Sequence, residues 1–119
     1  MTARENAVAM FESADKLDVD GWVEYLADDV YFRFGNADPI RGRDGVRSAV
    51  TEFFGMISGL HHEVIRDWES NGTVVQQIDM TYIRHDGNEV KVPATNILDF
   101  RDGKIAEYRI YVDLAPLWT

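Results

Sequence analysis

The chain has 119 residues, 45% of them hydrophobic and 28% charged, the make-up of one globular domain spanning residues 1–119. Twelve Lys and Arg stand against 21 Asp and Glu, and a net charge of −9 argues against nucleic acid or an anionic membrane as partner. There is no cysteine, which excludes disulfides, thiolate nucleophiles and Cys-ligated metal centres.

Thr2 is placed to cap a first helix, with Glu5 completing a capping box. Ala7, Met10, Phe11, Ala14 and Leu17 then repeat at helical spacing. After the break at Asp18-Val19-Asp20-Gly21, a short second helix carries Trp22 and Leu26 on one face and closes at Asp28-Asp29. Val30 to Phe34 reads as a strand with Val30, Phe32 and Phe34 on one side. A loop rich in Gly, Asn, Asp and Pro leads to a third helix, from about Arg43 to Ile57.

From His61 onward the pattern is four long strands. Asn71-Gly72, Asp86-Gly87 and Asp102-Gly103 separate them as two-residue hairpin turns, because these residues tolerate positive φ. The sequon Asn71-Gly72-Thr73 is therefore read as a turn. The expected fold class is α+β, a curved and mainly antiparallel sheet with three helices on its inner face. So few residues leave a pocket between the layers. The N-terminal residues lack the layout of a secretory leader and no apolar run reaches membrane-spanning length, so the expected location is cytoplasmic.

Several strings taken in order carry a resemblance: Asp18-Val19-Asp20-Gly21 with Tyr25-Leu26-Ala27-Asp28-Asp29-Val30, then Gly42-Arg43-Asp44-Gly45-Val46, then Phe100-Arg101-Asp102-Gly103-Lys104-Ile105 and Tyr108-Arg109-Ile110-Tyr111-Val112-Asp113. In this pattern the chain resembles the NTF2-like superfamily, in its SnoaL-like and ketosteroid-isomerase-like branch. The resemblance implies a cone-shaped α+β barrel with a deep pocket, and pairing as a homodimer through the outer sheet face. Local strings are similar to limonene epoxide hydrolases. The positions matching that family's Arg and two Asp hold Asp79, Thr81 and Ile110, so its catalytic set is not matched. The positions matching the ketosteroid isomerase machinery hold Met10, the neighbourhood of Arg33, and Asn96.

Both resemblances place Gln77, Asp79, Thr81 and Ile83 toward the pocket. Alternation alone would bury the other side, Val74, Ile78, Met80 and Tyr82. A pocket-facing Asp79 would be partly desolvated and suited to acid–base work. Asn96 and Tyr108, expected inside with Leu98 and Ile110, would polarise a carbonyl. His62 is a second acid–base candidate. It cannot share a metal with His61, since neighbours on a strand face opposite ways. Trp22, Phe32, Phe34, Thr81, Tyr108 and Ile110 are expected to line the substrate site, and no metal ligand set is found.

The expected function is cofactor-free acid–base chemistry on a small hydrophobic carbonyl compound: isomerisation, cyclisation or dehydration. The alternatives are a non-catalytic module binding a small hydrophobic ligand, or a structural dimer with a closed pocket. Ile78, Met80, Tyr82, Ile97 and Tyr111 are expected to form the apolar dimer face.

Overall fold

In the computed structural model, which describes residues 2–119, Thr2 and Glu5 make both bonds of the capping box that opens α1 (Ala3–Asp15). The helix buries Ala7, Met10, Phe11 and Ala14. Leu17, at φ 57°, turns the chain away. Asp18 then caps α2 (Val19–Val23) by accepting from the Gly21 N–H at 3.1 Å.

The second helix is shorter than its periodicity suggested, and Leu26 belongs to β1 (Leu26–Phe34). Asp28 and Asp29 lie inside this strand rather than ending a helix. They fall within its register shift against the sixth strand, between Leu26 and Tyr31, and both are exposed. There Asp28 meets Arg43 at 3.2 Å and Asp29 meets Arg101 at 2.5 Å. A two-residue strand, β2 (Ile40–Arg41), occupies part of the expected loop and pairs with β1. Next, α3 (Arg43–Gly55) buries Val46 and Val50 and stops two residues short of Ile57.

The four strands β3 (Gly59–Ser70), β4 (Thr73–Ile83), β5 (Glu89–Arg101) and β6 (Lys104–Val112) form an antiparallel meander. Asn71-Gly72 and Asp102-Gly103 both take positive φ at the two turn positions, as tight hairpins require. The Asp86-Gly87 connection differs. Arg84 bonds Asn88 across a three-residue loop in which only Gly87 has positive φ. The sheet order is β2-β1-β6-β5-β4-β3, with β1 parallel to β6. It curves around the helices without closing, so the barrel of the sequence reading is an open half-barrel. A 3-10 helix, Ala115–Trp118, buries Leu117. Among the described residues no helix is long and apolar enough to cross a membrane.

One expectation about β4 is overturned. Val74, Gln76, Ile78, Met80 and Tyr82 are buried under the helices. Gln77, Asp79, Thr81 and Ile83 alternate with them and point to the outer face. Register supplies the reason. Gln76 lies directly opposite Asn96, and paired residues share a face, so Asn96 can be inside only if Gln76 and Ile78 are too. Turning β4 over would also expose Ile78, Met80 and Tyr82, losing about 1.5–3 kcal/mol for each large apolar side chain. The carboxylate of Asp79 instead stands 3.8 Å from the Lys91 ammonium.

This parity is measurable. Ile78→Ala should lower unfolding stability by about 2–5 kcal/mol, the cost of a core truncation. Asp79→Asn should change it by no more than about 0.5 kcal/mol, because its ion pair is only partly buried. Urea titrations of the two variants test the assignment, and a reversed ranking would refute it.

Candidate functional site

Between the helices and the inner sheet face lies a narrow cavity of about 50 Å³. Its walls are mostly aromatic. Trp22 from α2 meets Phe32 of β1 at 5.7 Å between ring centroids, and Phe32 meets Tyr108 of β6 at 5.4 Å. Phe34 packs edge-on to Phe53 of α3 at 5.0 Å, and Phe53 packs on Tyr82 at 5.8 Å. Ile78, Met80 and Ile110 complete the apolar surface.

Besides the tyrosines, two polar side chains from the sheet line this space, His62 and Asn96. His62, one-tenth exposed, stacks on Phe11 of α1 with centroids 3.9 Å apart and planes 13° from parallel. Its Nδ1 lies 2.6 Å from Oδ1 of Asp15, the last residue of α1, which also accepts the His62 backbone N–H at 3.2 Å. Burial pushes the imidazole below its ordinary value of 6.5, with the Asp15 hydrogen bond and charge opposing and His61 adding a smaller downward push. The ring is therefore neutral at pH 7. With a carboxylate against Nδ1, the proton sits on Nδ1 and Nε2 keeps its lone pair. Among the described residues Nε2 has no hydrogen-bond partner. A neutral imidazole backed by a carboxylate and set in an apolar cavity is equipped as a general base.

Asn96 is 1% exposed and Gln76 is fully buried. Gln76 donates Nε2–H to the Ala7 carbonyl at 3.2 Å, and its Oε1 accepts from Asn96 Nδ2 at 3.3 Å. The phenols of Tyr82 and Tyr108 are both pushed up by burial, so each stays protonated and able to donate.

The structure thus brings together on the cavity wall Trp22, Phe32, Phe34, His62, Asn96, Tyr108 and Ile110 from the sequence-based candidates. Asp79 and Thr81 are on the opposite face and do not reach it. Three participants were missed. Tyr82 lies inside, where the sequence reading expects it outward with Ile78 and Met80. Gln76 was overlooked, although its alternation with Val74 and Ile78 marks it as inward. Asp15 follows Ala14 on the first helix and stands four residues after Phe11, where a carboxylate borders the buried stripe. Among the described residues no group of three His, Asp or Glu is arranged to hold a metal ion.

The family model for the SnoaL-like domain matches residues 7–108, most of the chain and all of the strands that carry the cavity except the end of β6. The chain belongs to the SnoaL-like domain family. Among solved structures, an NTF2-like protein of unknown function from Burkholderia pseudomallei is similar at a TM-score of 0.88, with 16% identity over 98% of this chain and 95% of that one. A candidate SnoaL-like polyketide cyclase from Jannaschia sp. CCS1 is similar at 0.84, with 20% identity over 98% and 89%. An epoxide hydrolase from M. tuberculosis, described as like limonene epoxide hydrolase, is similar at 0.82, with 19% identity over 98% and 86%. At such identities these likenesses establish the NTF2-like fold and nothing finer. A search of curated proteins gives no significant match.

The depressed value of His62 has a consequence for stability. The unfolded chain binds a proton near pH 6.5 and the folded chain only at lower pH. Stability is therefore full above about 6.5 and declines as pH falls through the window between the two values. Melting temperatures between pH 7.5 and 5 should show this decline, and His62→Gln should flatten it. An unchanged slope in the variant would remove His62 as its source.

Proposed function

We propose that the protein is a cofactor-free acid–base catalyst acting on a small hydrophobic carbonyl compound, of the isomerase, cyclase or dehydratase kind. The observation that carries this reading is the His62–Asp15 pair, 2.6 Å apart, at the wall of an aromatic cavity. In the proposed step the C–H bond next to the substrate carbonyl breaks. Its proton goes to His62 Nε2, and its electron pair spreads onto the carbonyl oxygen. Asp15 stabilises the imidazolium, and a protonated tyrosine hydroxyl, Tyr108 or Tyr82, donates to the enolate oxygen. Returning the proton to a different carbon completes an isomerisation. Delivering it to a departing hydroxyl completes a dehydration. Asp79, outside the cavity, takes no part.

The test needs no natural substrate. In deuterium oxide the protein should speed exchange of the α-hydrogens of 2-tetralone, a flat hydrophobic ketone, as followed by proton NMR. His62→Gln should reduce the accelerated rate by roughly 10²–10⁴-fold, the usual contribution of a positioned base. Asp15→Asn should keep part of the rate and shift its pH profile to lower pH, since the carboxylate no longer favours the imidazolium. Exchange unaffected by His62→Gln would sink this assignment.

The narrowness of the cavity favours a second reading, a non-catalytic module that holds a small hydrophobic ligand. Binding of tetralone without exchange is the result that would select it. Exclusion of every apolar probe would instead select a structural protein with a closed interior.

We further propose that the protein works in the cytoplasm as a homodimer joined through the outer sheet face. Trp68, Val75 and Ile97 stand in one row across β3, β4 and β5 on that face, and Trp68 and Tyr111 are 49% and 58% exposed. The row differs from the one expected, because Ile78, Met80 and Tyr82 are inside. An apolar row of this kind is suited to a two-fold contact. Sedimentation velocity at micromolar concentration should give a species of twice the chain mass, and a monomer alone would count against it.

A further inference from the structure

The amide orientations at the base of the cavity are set by a chain of donors and acceptors that begins on α1. The Ala7 carbonyl can only accept, so Gln76 must present Nε2 to it. Gln76 Oε1 then faces β5, and Asn96 must present Nδ2 to it. Reversing either amide would set two acceptors or two donors against each other. The order of the relay therefore leaves one atom over: Asn96 Oδ1, buried and without a protein partner among the described residues. A buried carbonyl oxygen without a donor costs roughly 1–3 kcal/mol.

We propose that the ligand of this cavity carries a hydroxyl or N–H group that donates to Asn96 Oδ1, so that Asn96 selects hydroxylated carbonyl compounds over analogues of the same shape that lack a donor. This deepens the function proposed above and rests on the cavity being the ligand site. It also reverses the part first expected of Asn96. One N–H of Asn96 Nδ2 is held by Gln76, and the atom of this side chain with no partner is its oxygen, which would repel a carbonyl or enolate oxygen. Those are left to the tyrosine hydroxyls. A ligand group that donates to Oδ1 satisfies an oxygen that the protein itself leaves unpaired, and a ligand that packs there without a donor does not. The walls around Asn96 are apolar, Ile78, Met80 and Ile110 among them, so a ligand without a donor leaves the oxygen unpaired. Sites of this construction discriminate strongly against analogues that lack the required group.

The experiment uses two flat probes with the same rings, 2-naphthol, which can donate, and 2-methoxynaphthalene, which cannot. Fluorescence titration of the wild-type protein should show 2-naphthol binding roughly 10- to 100-fold more tightly. Asn96→Leu, similar in volume, should abolish that preference while still taking up the methoxy probe. Because the hydroxyl could instead meet His62, and because the variant leaves Gln76 Oε1 unpaired and could fold poorly, a second measurement is made on the wild type. The Asn96 side-chain carbonyl carbon, followed by NMR, should shift downfield with 2-naphthol and not with 2-methoxynaphthalene. Equal affinities, or a preference without that shift, overturn the donor requirement and leave the acid–base reading standing. Failure of both probes to bind overturns this inference together with the ligand-site reading beneath it.

Discussion

Docking of α1 on the inner face of the sheet is the contact on which the site depends. Ala7, Met10, Phe11 and Ala14 make it apolar, and their burial against β3 and β4 holds the helix in place. Each polar element of the cavity is then referred to that helix. Phe11 stacks on the His62 ring, Asp15 fixes its tautomer, and the Ala7 carbonyl orients Gln76 and through it Asn96. A small displacement of α1 would disturb both His62 and Asn96. The capping box at Thr2 and Glu5 therefore bears on the site from the far end of the same helix.

The division of labour across the sheet follows from a period of two. On the inner face the same alternation that buries Val74, Ile78 and Met80 carries Gln76 and Tyr82 inward. On the outer face it sets Asp79 near Lys91 and Arg109 near Asp99 and Glu107. The carboxylates of this acidic chain thus gather where water or Lys and Arg can serve them, and the one bonded to the cavity's His62 is Asp15, which does not itself line the cavity. That arrangement suits a base. A charged carboxylate within the aromatic walls would be strongly desolvated, whereas a neutral imidazole with a carboxylate behind it would, in the proposed reaction, be charged only while it held the proton it had taken up.

Much of the fold was legible because its signals are local. The capping box, the stripe of α1 and the turns at Asn71-Gly72 and Asp102-Gly103 are each written within a few residues. The start of β1 was not, since Asp28 and Asp29 oppose strand formation and are accommodated by a register shift and by Arg43 and Arg101, which lie far along the chain. Inward placement of Asn96, Tyr108 and Ile110 was legible. That of β4 was not, because resemblance and alternation point opposite ways there and only the pairing of Gln76 with Asn96, from a different strand, decides between them. The His62–Asp15 pair spans 47 residues, and no local pattern reports on such a contact.

Gln76 and Asn96 are the residues that stability alone does not explain. Two apolar side chains of similar volume at these positions would remove four buried polar atoms and the unpaired oxygen with them. Replacing both partners of a buried hydrogen bond in this way is often neutral or stabilising. The amide pair does not link strands that would otherwise separate, because Gln76 and Asn96 already sit opposite each other in a continuous ladder. It adds a bond to the Ala7 carbonyl, which sits mid-helix and is already placed to accept within α1. What the pair does accomplish is to fix one acceptor at a known place on an otherwise oily wall. His62 makes the same argument from the other side, since burying an imidazole beside Phe11 is unfavourable for its charged form and a leucine there would not be. Local choices that weaken a core and converge on one cavity are what the proposed ligand site requires.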